Sequence, residues 1–96
     1  MGNITKDRSE ISRNATKIPI PPGKALEKEL AAQNILKKSC ADQLEILPQH
    51  LSEIFSGKRR INAELAVKIE KVTGIDADYW MGLVSRYEVA KAKNLV

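Results

Sequence analysis

The strongest constraint in this chain of 96 residues is a pair of short helical stretches separated by only Glu45, Ile46 and Leu47. The first stretch runs from Lys37 to Leu44. The second begins at Pro48, where a proline suits the first helical turn, and stops before Gly57. Two helices joined by so short a turn must cross at a steep angle. Such a crossing needs a small residue where the backbones meet, and Ala41 stands there. It also needs apolar inner faces, which Cys40, Leu44, Ile46, Leu51 and Ile54 supply. Ala41 and Leu51 lie ten positions apart.

These positions match the pattern of a helix-turn-helix, whose second helix reads the major groove of DNA. Two residues depart from the usual turn. The backbone four residues after the alanine goes left-handed and favours glycine. Glu45 occupies it, at a cost on the order of 1 kcal/mol. Leu47 stands where serine or threonine would cap the second helix, and leucine cannot accept from the free N–H groups.

The remaining segments also read as helices. Pro22 opens one that is expected to run to about Gln33, with Leu26 and Leu30 on one face. Asn34, which tolerates the left-handed conformation, stops it. Asn62 offers an N-cap for a fourth helix with Glu64 near its positive end. Leu65, Ala66, Ile69 and Val72 form its inner stripe, and Gly74 ends it. Asp76 is expected to cap a fifth, with Trp80, Leu83, Val84 and Tyr87 along one side. No segment alternates with period two, so the fold class is all-α with five helices. Residues 1–18 show no stable period and form an extended or disordered arm before a domain of residues 19–96. The arm is either a basic strand touching phosphates or a plain tail.

Candidate functional residues follow from the motif. Pro48, Gln49, Ser52 and Glu53 lie on the outward, N-terminal part of the second motif helix, where base edges are read. Gln49 can pair with adenine through two hydrogen bonds, and Glu53 can accept from the cytosine amino group. His50 is a further, weaker candidate. Lys37 and Lys38 begin the first motif helix, and Lys58, Arg59 and Arg60 follow Gly57. Cations so placed neutralise phosphates and release counterions.

Composition narrows the class. The net charge of +4 permits a polyanionic partner without demanding one. The single Cys40 can form no internal disulfide, and with one histidine the chain offers no metal cluster. No phosphate-cradling glycine loop or convergent carboxylate pair is present, so neither an enzyme nor a cofactor is expected. No apolar run approaches the roughly 18 residues of a membrane span. A cytoplasmic protein is the expectation.

Pro21-Pro22-Gly23-Lys24, the helix-turn-helix, Ser56-Gly57-Lys58-Arg59-Arg60-Ile61-Asn62-Ala63-Glu64-Leu65-Ala66, Asp78-Tyr79-Trp80-Met81-Gly82-Leu83 and Tyr87 together resemble the HigA/VapI antitoxins. These belong to the Xre-type, Cro/C1-like helix-turn-helix class. The resemblance covers residues 19–92. It implies a homodimer that binds palindromic operator DNA and represses its own operon. It also implies neutralisation of a HigB-like toxin, an mRNA endonuclease. By position, Gln49, Ser52 and Glu53 correspond to base contacts, and Lys37 with the cations after Gly57 to backbone contacts. Trp80, Leu83 and Tyr87 fall to core or dimer packing. The family usually carries Gln, Gly and Ser or Thr where Lys37, Glu45 and Leu47 stand, and Asn-Leu-Gln where Gly82-Leu83-Val84 stands. The alternatives are a stand-alone regulator and a toxin-binding module that has lost specific DNA reading.

Overall fold

The computed structural model describes residues 19–96, so the readings made of residues 1–18 lie outside it. Five helices follow one another: α1 (Pro22–Ala32), α2 (Lys37–Leu44), α3 (Pro48–Phe55), α4 (Ala63–Thr73) and α5 (Ala77–Ala92). No strand occurs among the described residues.

Each helix stops for a local reason. Asn34, Glu45, Gly57, Gly74 and Asn94 all take positive φ. After α1, α2, α3 and α5 the next two N–H groups fold back onto the last turn. Ile46 N–H, for example, donates to Ala41 O at 3.0 Å and Glu45 N–H to Asp42 O at 3.1 Å. This is the paired closure that satisfies the orphan carbonyls of a helix end. Ile35, Ile46 and Ile75 each follow the left-handed residue and pack against the core. A left-handed residue followed by isoleucine thus ends α1, α2 and α4. α1 ends one residue short of the expectation, because Gln33 already leaves the helix and serves as its C-cap.

Glu45 accepts its role with φ 60° and ψ 41°. The glutamate therefore leaves the turn in its usual shape. Lys68 Nζ lies 3.1 Å from its carboxylate, an exposed pair that contributes little. Glu45→Gly is expected to raise stability by about 0.5 kcal/mol, the relieved strain exceeding the added freedom of the unfolded chain. A urea titration checks this through a higher midpoint at unchanged slope.

The helix starts differ from one another. Asn62 Oδ1 accepts from Leu65 N–H at 2.8 Å and caps α4 as expected. Asp76 holds the N-cap position of α5 but makes no capping bond. Glu70, reaching across from α4, accepts from Ala77 N–H at 3.0 Å instead. The cap of α5 is therefore also a tie between α4 and α5.

The core lies between the five helices, with α1 packed on α3 and α5, α2 on α3 and α4, and α4 on α5. Leu26, Cys40, Leu44, Leu51, Ile54, Ile61, Ile69 and Trp80 are its largest fully buried side chains. Leu65 and Val72 of the expected α4 stripe are only partly buried, and Thr73 takes the buried place. Its hydroxyl donates to Ile69 O at 2.9 Å and accepts from Ile75 N–H at 3.2 Å. Its carbonyl accepts from Gln33 Nε2 at 3.0 Å, which fastens the end of α1 to the end of α4.

Cys40 has no exposed surface, and burial pushes its thiol up to about 11. A buried, protonated thiol is a poor nucleophile. An aromatic disulfide reagent at neutral pH is expected to leave Cys40 unmodified in the folded protein and to modify it fully in denaturant. Fast modification of the folded chain would contradict this burial.

One close approach fixes α1 against α3. A Cβ placed on Gly23 would lie 1.8 Å from Ile54 O and 2.7 Å from Ile54 C. The start of α1 therefore rests directly on the last turn of α3 and braces that helix from behind.

Candidate nucleic-acid interface

α3 turns Leu51, Ile54 and Phe55 into the core. Its other side carries the residues singled out in the sequence. Pro48 and Gln49 are exposed, while Ser52 and Glu53 are partly covered. The Gln49 amide makes no hydrogen bond among the described residues, so both its donor and its acceptor are free. Lys37, at the first turn of α2, donates from Nζ to Ser52 Oγ. This bond puts a cation beside the hydroxyl and leaves the serine proton free to donate. Lys38 and Lys58 are exposed and have no ion-pair partner among the described residues. His50 is half-buried at the edge of this group, near Glu53 and Arg59. It lines a hollow with Leu44, Ile46, Asn62 and Leu65, between the motif and α4.

The turn after α3 organises the three cations unequally. Gly57 takes φ 86°, and Lys58 N–H and Arg59 N–H both donate to Glu53 O, at 2.8 and 3.2 Å. This brings Arg59 back over α3, where its Nε lies 2.5 Å from Glu53 Oε1. The guanidinium bond holds the Glu53 carboxyl below the usual carboxylate range. Glu53 is thus ionised and engaged by Arg59, and it sets the direction of that arginine. Arg60 points the other way and pairs with Glu88 of α5. That pairing raises the basicity of Arg60 and lowers the carboxyl of Glu88. Arg60, Tyr87, Glu88 and Lys91 border a cleft of about 390 Å³ that runs to Gly23 and Lys24 at the start of α1.

The structure therefore gathers Lys37, Gln49, Ser52, Glu53 and Arg59 on one face and ties Arg60, which the sequence grouped with Lys58 and Arg59, to α5. The ties between Lys37 and Ser52, Glu53 and Arg59, and Arg60 and Glu88 were not foreseen. Trp80 and Leu83 are buried in the core, and Tyr87 is half-buried with Lys91 Nζ 5.9 Å from its ring centre. The indole N–H of Trp80 has no acceptor among the described residues. Such an unpaired donor costs on the order of 1–3 kcal/mol, offset here by a large apolar ring fully removed from water. No cluster of potential metal ligands occurs among the described residues, and no described helix is long and apolar enough to cross a membrane.

The family comparison decides the class. A helix-turn-helix model, HTH_3, matches residues 26–80, more than half of the chain. The chain belongs to the helix-turn-helix family. That family consists of DNA-binding regulators rather than enzymes. This helix-turn-helix protein is 33% identical over 76 residues to virulence-associated protein A′ of Dichelobacter nodosus. The match takes in 78% of this chain and 66% of that relative, so the chain spans just under two thirds of it. Among solved structures it is similar to the Pseudomonas aeruginosa antitoxin HigA with the higBA promoter. That match has 31% identity and a TM-score of 0.70, over 77% of this chain and 82% of the other. A Pseudomonas aeruginosa protein in complex with its 18-base-pair operator DNA is also similar. It shows 30% identity and a TM-score of 0.71, over 79% and 83% of the two chains. The five-helix fold and the resemblance to HigA antitoxins read from the sequence both hold.

Proposed function

We propose that this helix-turn-helix protein is a HigA-type antitoxin that binds operator DNA as a homodimer and represses its own operon in the cytoplasm. On this reading it also neutralises a HigB-like mRNA endonuclease. The observation that carries the reading is the front of α3. A free Gln49 amide stands beside the Ser52 hydroxyl held by Lys37 and the Glu53 carboxylate held by Arg59, with Lys38 and Lys58 exposed, in a fold that resembles proteins solved with promoter and operator DNA.

The residues divide into two roles. Gln49 and Ser52 face base edges, with Pro48 beside them. Lys37, Lys38, Lys58 and Arg59 contact phosphates. Glu53 acts chiefly by aiming Arg59, which differs from the direct cytosine contact expected from its position alone. Arg60, paired to Glu88, reaches phosphate only if it leaves that partner. In a homodimer two α3 helices enter successive major grooves about 34 Å apart.

Gel-shift titrations of the full chain with DNA from upstream of its gene, at two salt concentrations, test the DNA half. Co-expression with the neighbouring reading frame, followed by co-purification, tests the toxin half. Arg59→Ala is expected to weaken all duplexes alike and to lower the slope of log affinity against log salt by about one. Its loss also leaves the Glu53 carboxylate unpaired beside the DNA, which adds to the weakening. A change in sequence preference without a change in salt slope would overturn the phosphate role of Arg59.

A further inference from the structure

The large apolar side chains most exposed to water are Leu36, at 74%, and Leu47, at 73%. Both occupy N-cap positions, of α2 and α3, and neither gives its helix a side-chain cap. Leu47 gives up the capping bond that serine or threonine would make there, and it stays largely in water instead. It also lies next to Pro48, so the leading edge of α3 is apolar immediately before the free Gln49 amide. Lys37 crosses to Ser52 one turn further along, which surrounds this apolar edge with polar and cationic groups.

We propose that Leu47 is a specificity-determining residue that reads the 5-methyl group of a thymine in the major groove. The inference rests on the reading of α3 as the helix that enters DNA. Among the base edges of the major groove, the thymine methyl is the apolar feature, and an apolar side chain is its natural partner. The N-terminal end of the recognition helix comes closest to the base edges, whereas the preceding helix crosses the backbone. Leu47 and Leu36 are equally exposed and equally placed on their helices, yet only Leu47 stands at that end. The backbone supports the contact. Leu47 is extended, with φ −73° and ψ 149°, and its carbonyl accepts the first bond of α3 from Leu51 N–H at 3.1 Å. Its Cα is therefore fixed while its side chain projects ahead of the helix.

The test uses the full chain and a duplex obtained by selection from random sequences. Thymines of the selected site are replaced one at a time by deoxyuridine, which lacks the methyl group and keeps every hydrogen-bonding atom. The wild-type protein is expected to bind about fourfold more weakly per half-site at one such position, the value of burying one methyl group. Leu47→Ala is expected to bind the thymine duplex more weakly and to lose sensitivity to deoxyuridine at that position. Leu36→Ala is expected to keep the full sensitivity. Circular dichroism melting confirms that both variants fold. Specific binding that ignores every deoxyuridine, or a Leu47→Ala protein that stays sensitive, would overturn the inference while leaving the DNA-binding reading in place. Selection that enriches no duplex would overturn both.

Discussion

Gly23→Ala is expected to cost about 3 kcal/mol of stability. By helix propensity alone the same change would gain about 0.5–1 kcal/mol, because alanine orders more cheaply than glycine. The packing decides the sign. The new Cβ would fall 1.8 Å from Ile54 O and close to Ile54 C and Phe55 Cα, all of them backbone atoms. No rotamer can relieve such a clash, so α1 must lift from α3. For a domain of this size the loss corresponds to a melting temperature lower by about 12–24 °C. Lys24→Ala is the control. Its exposed pair with Glu27, at 3.4 Å, contributes little, and its melting temperature is expected to stay near that of the parent. A Gly23→Ala protein as stable as the parent would show that α1 does not rest on the end of α3. The variant is also expected to bind DNA less well at temperatures where it remains folded, because the last turn of α3 loses its brace.

Gln49→Ala is expected to have the largest effect on recognition. The amide is the most exposed polar group on the leading turn of α3, and nothing among the described residues competes for it. A bidentate amide contact to adenine discriminates against the wrong base by about 1–3 kcal/mol. Its removal should therefore flatten preference at one position of each half-site while the salt dependence stays unchanged. Arg59→Ala should do the reverse. Fluorescence anisotropy over a panel of single-base operator variants separates the two. Equal loss of discrimination in both variants would mean that the roles of these residues are wrongly divided.

How much of this was legible in the sequence depends on the range of the interaction. Where a backbone conformation demands a residue type locally, the residues announced it. Asn34 and Gly57 go left-handed, Asn62 caps α4, and the spacing of Ala41 and Leu51 yields two buried contacts. Even the misfit at Glu45 was correctly located, since the turn requires positive φ whichever residue fills it. Interactions between distant side chains left no such mark. Arg60 finds Glu88, 28 positions away, only once α5 has docked. Glu70 caps α5 in place of Asp76 for the same reason, because the distance between α4 and α5 is set by core packing. Gly23 falls between these cases. A glycine near the start of a helix, where its backbone needs no special φ, signals a close neighbour but does not name it. The consequence for the site is specific. The candidate base-reading residues were nominated from spacing alone, while the division of the cations between α3 and α5 required the folded chain.

The central claim is that the front of α3 distinguishes one DNA sequence from another. It is tested most directly by measuring the affinity of the purified protein for its upstream operator and for a scrambled duplex of equal length, at one near-physiological salt concentration. The account predicts that the operator binds at least about a thousandfold more tightly, the lower end for specific recognition. Equal affinity for the two duplexes would contradict it.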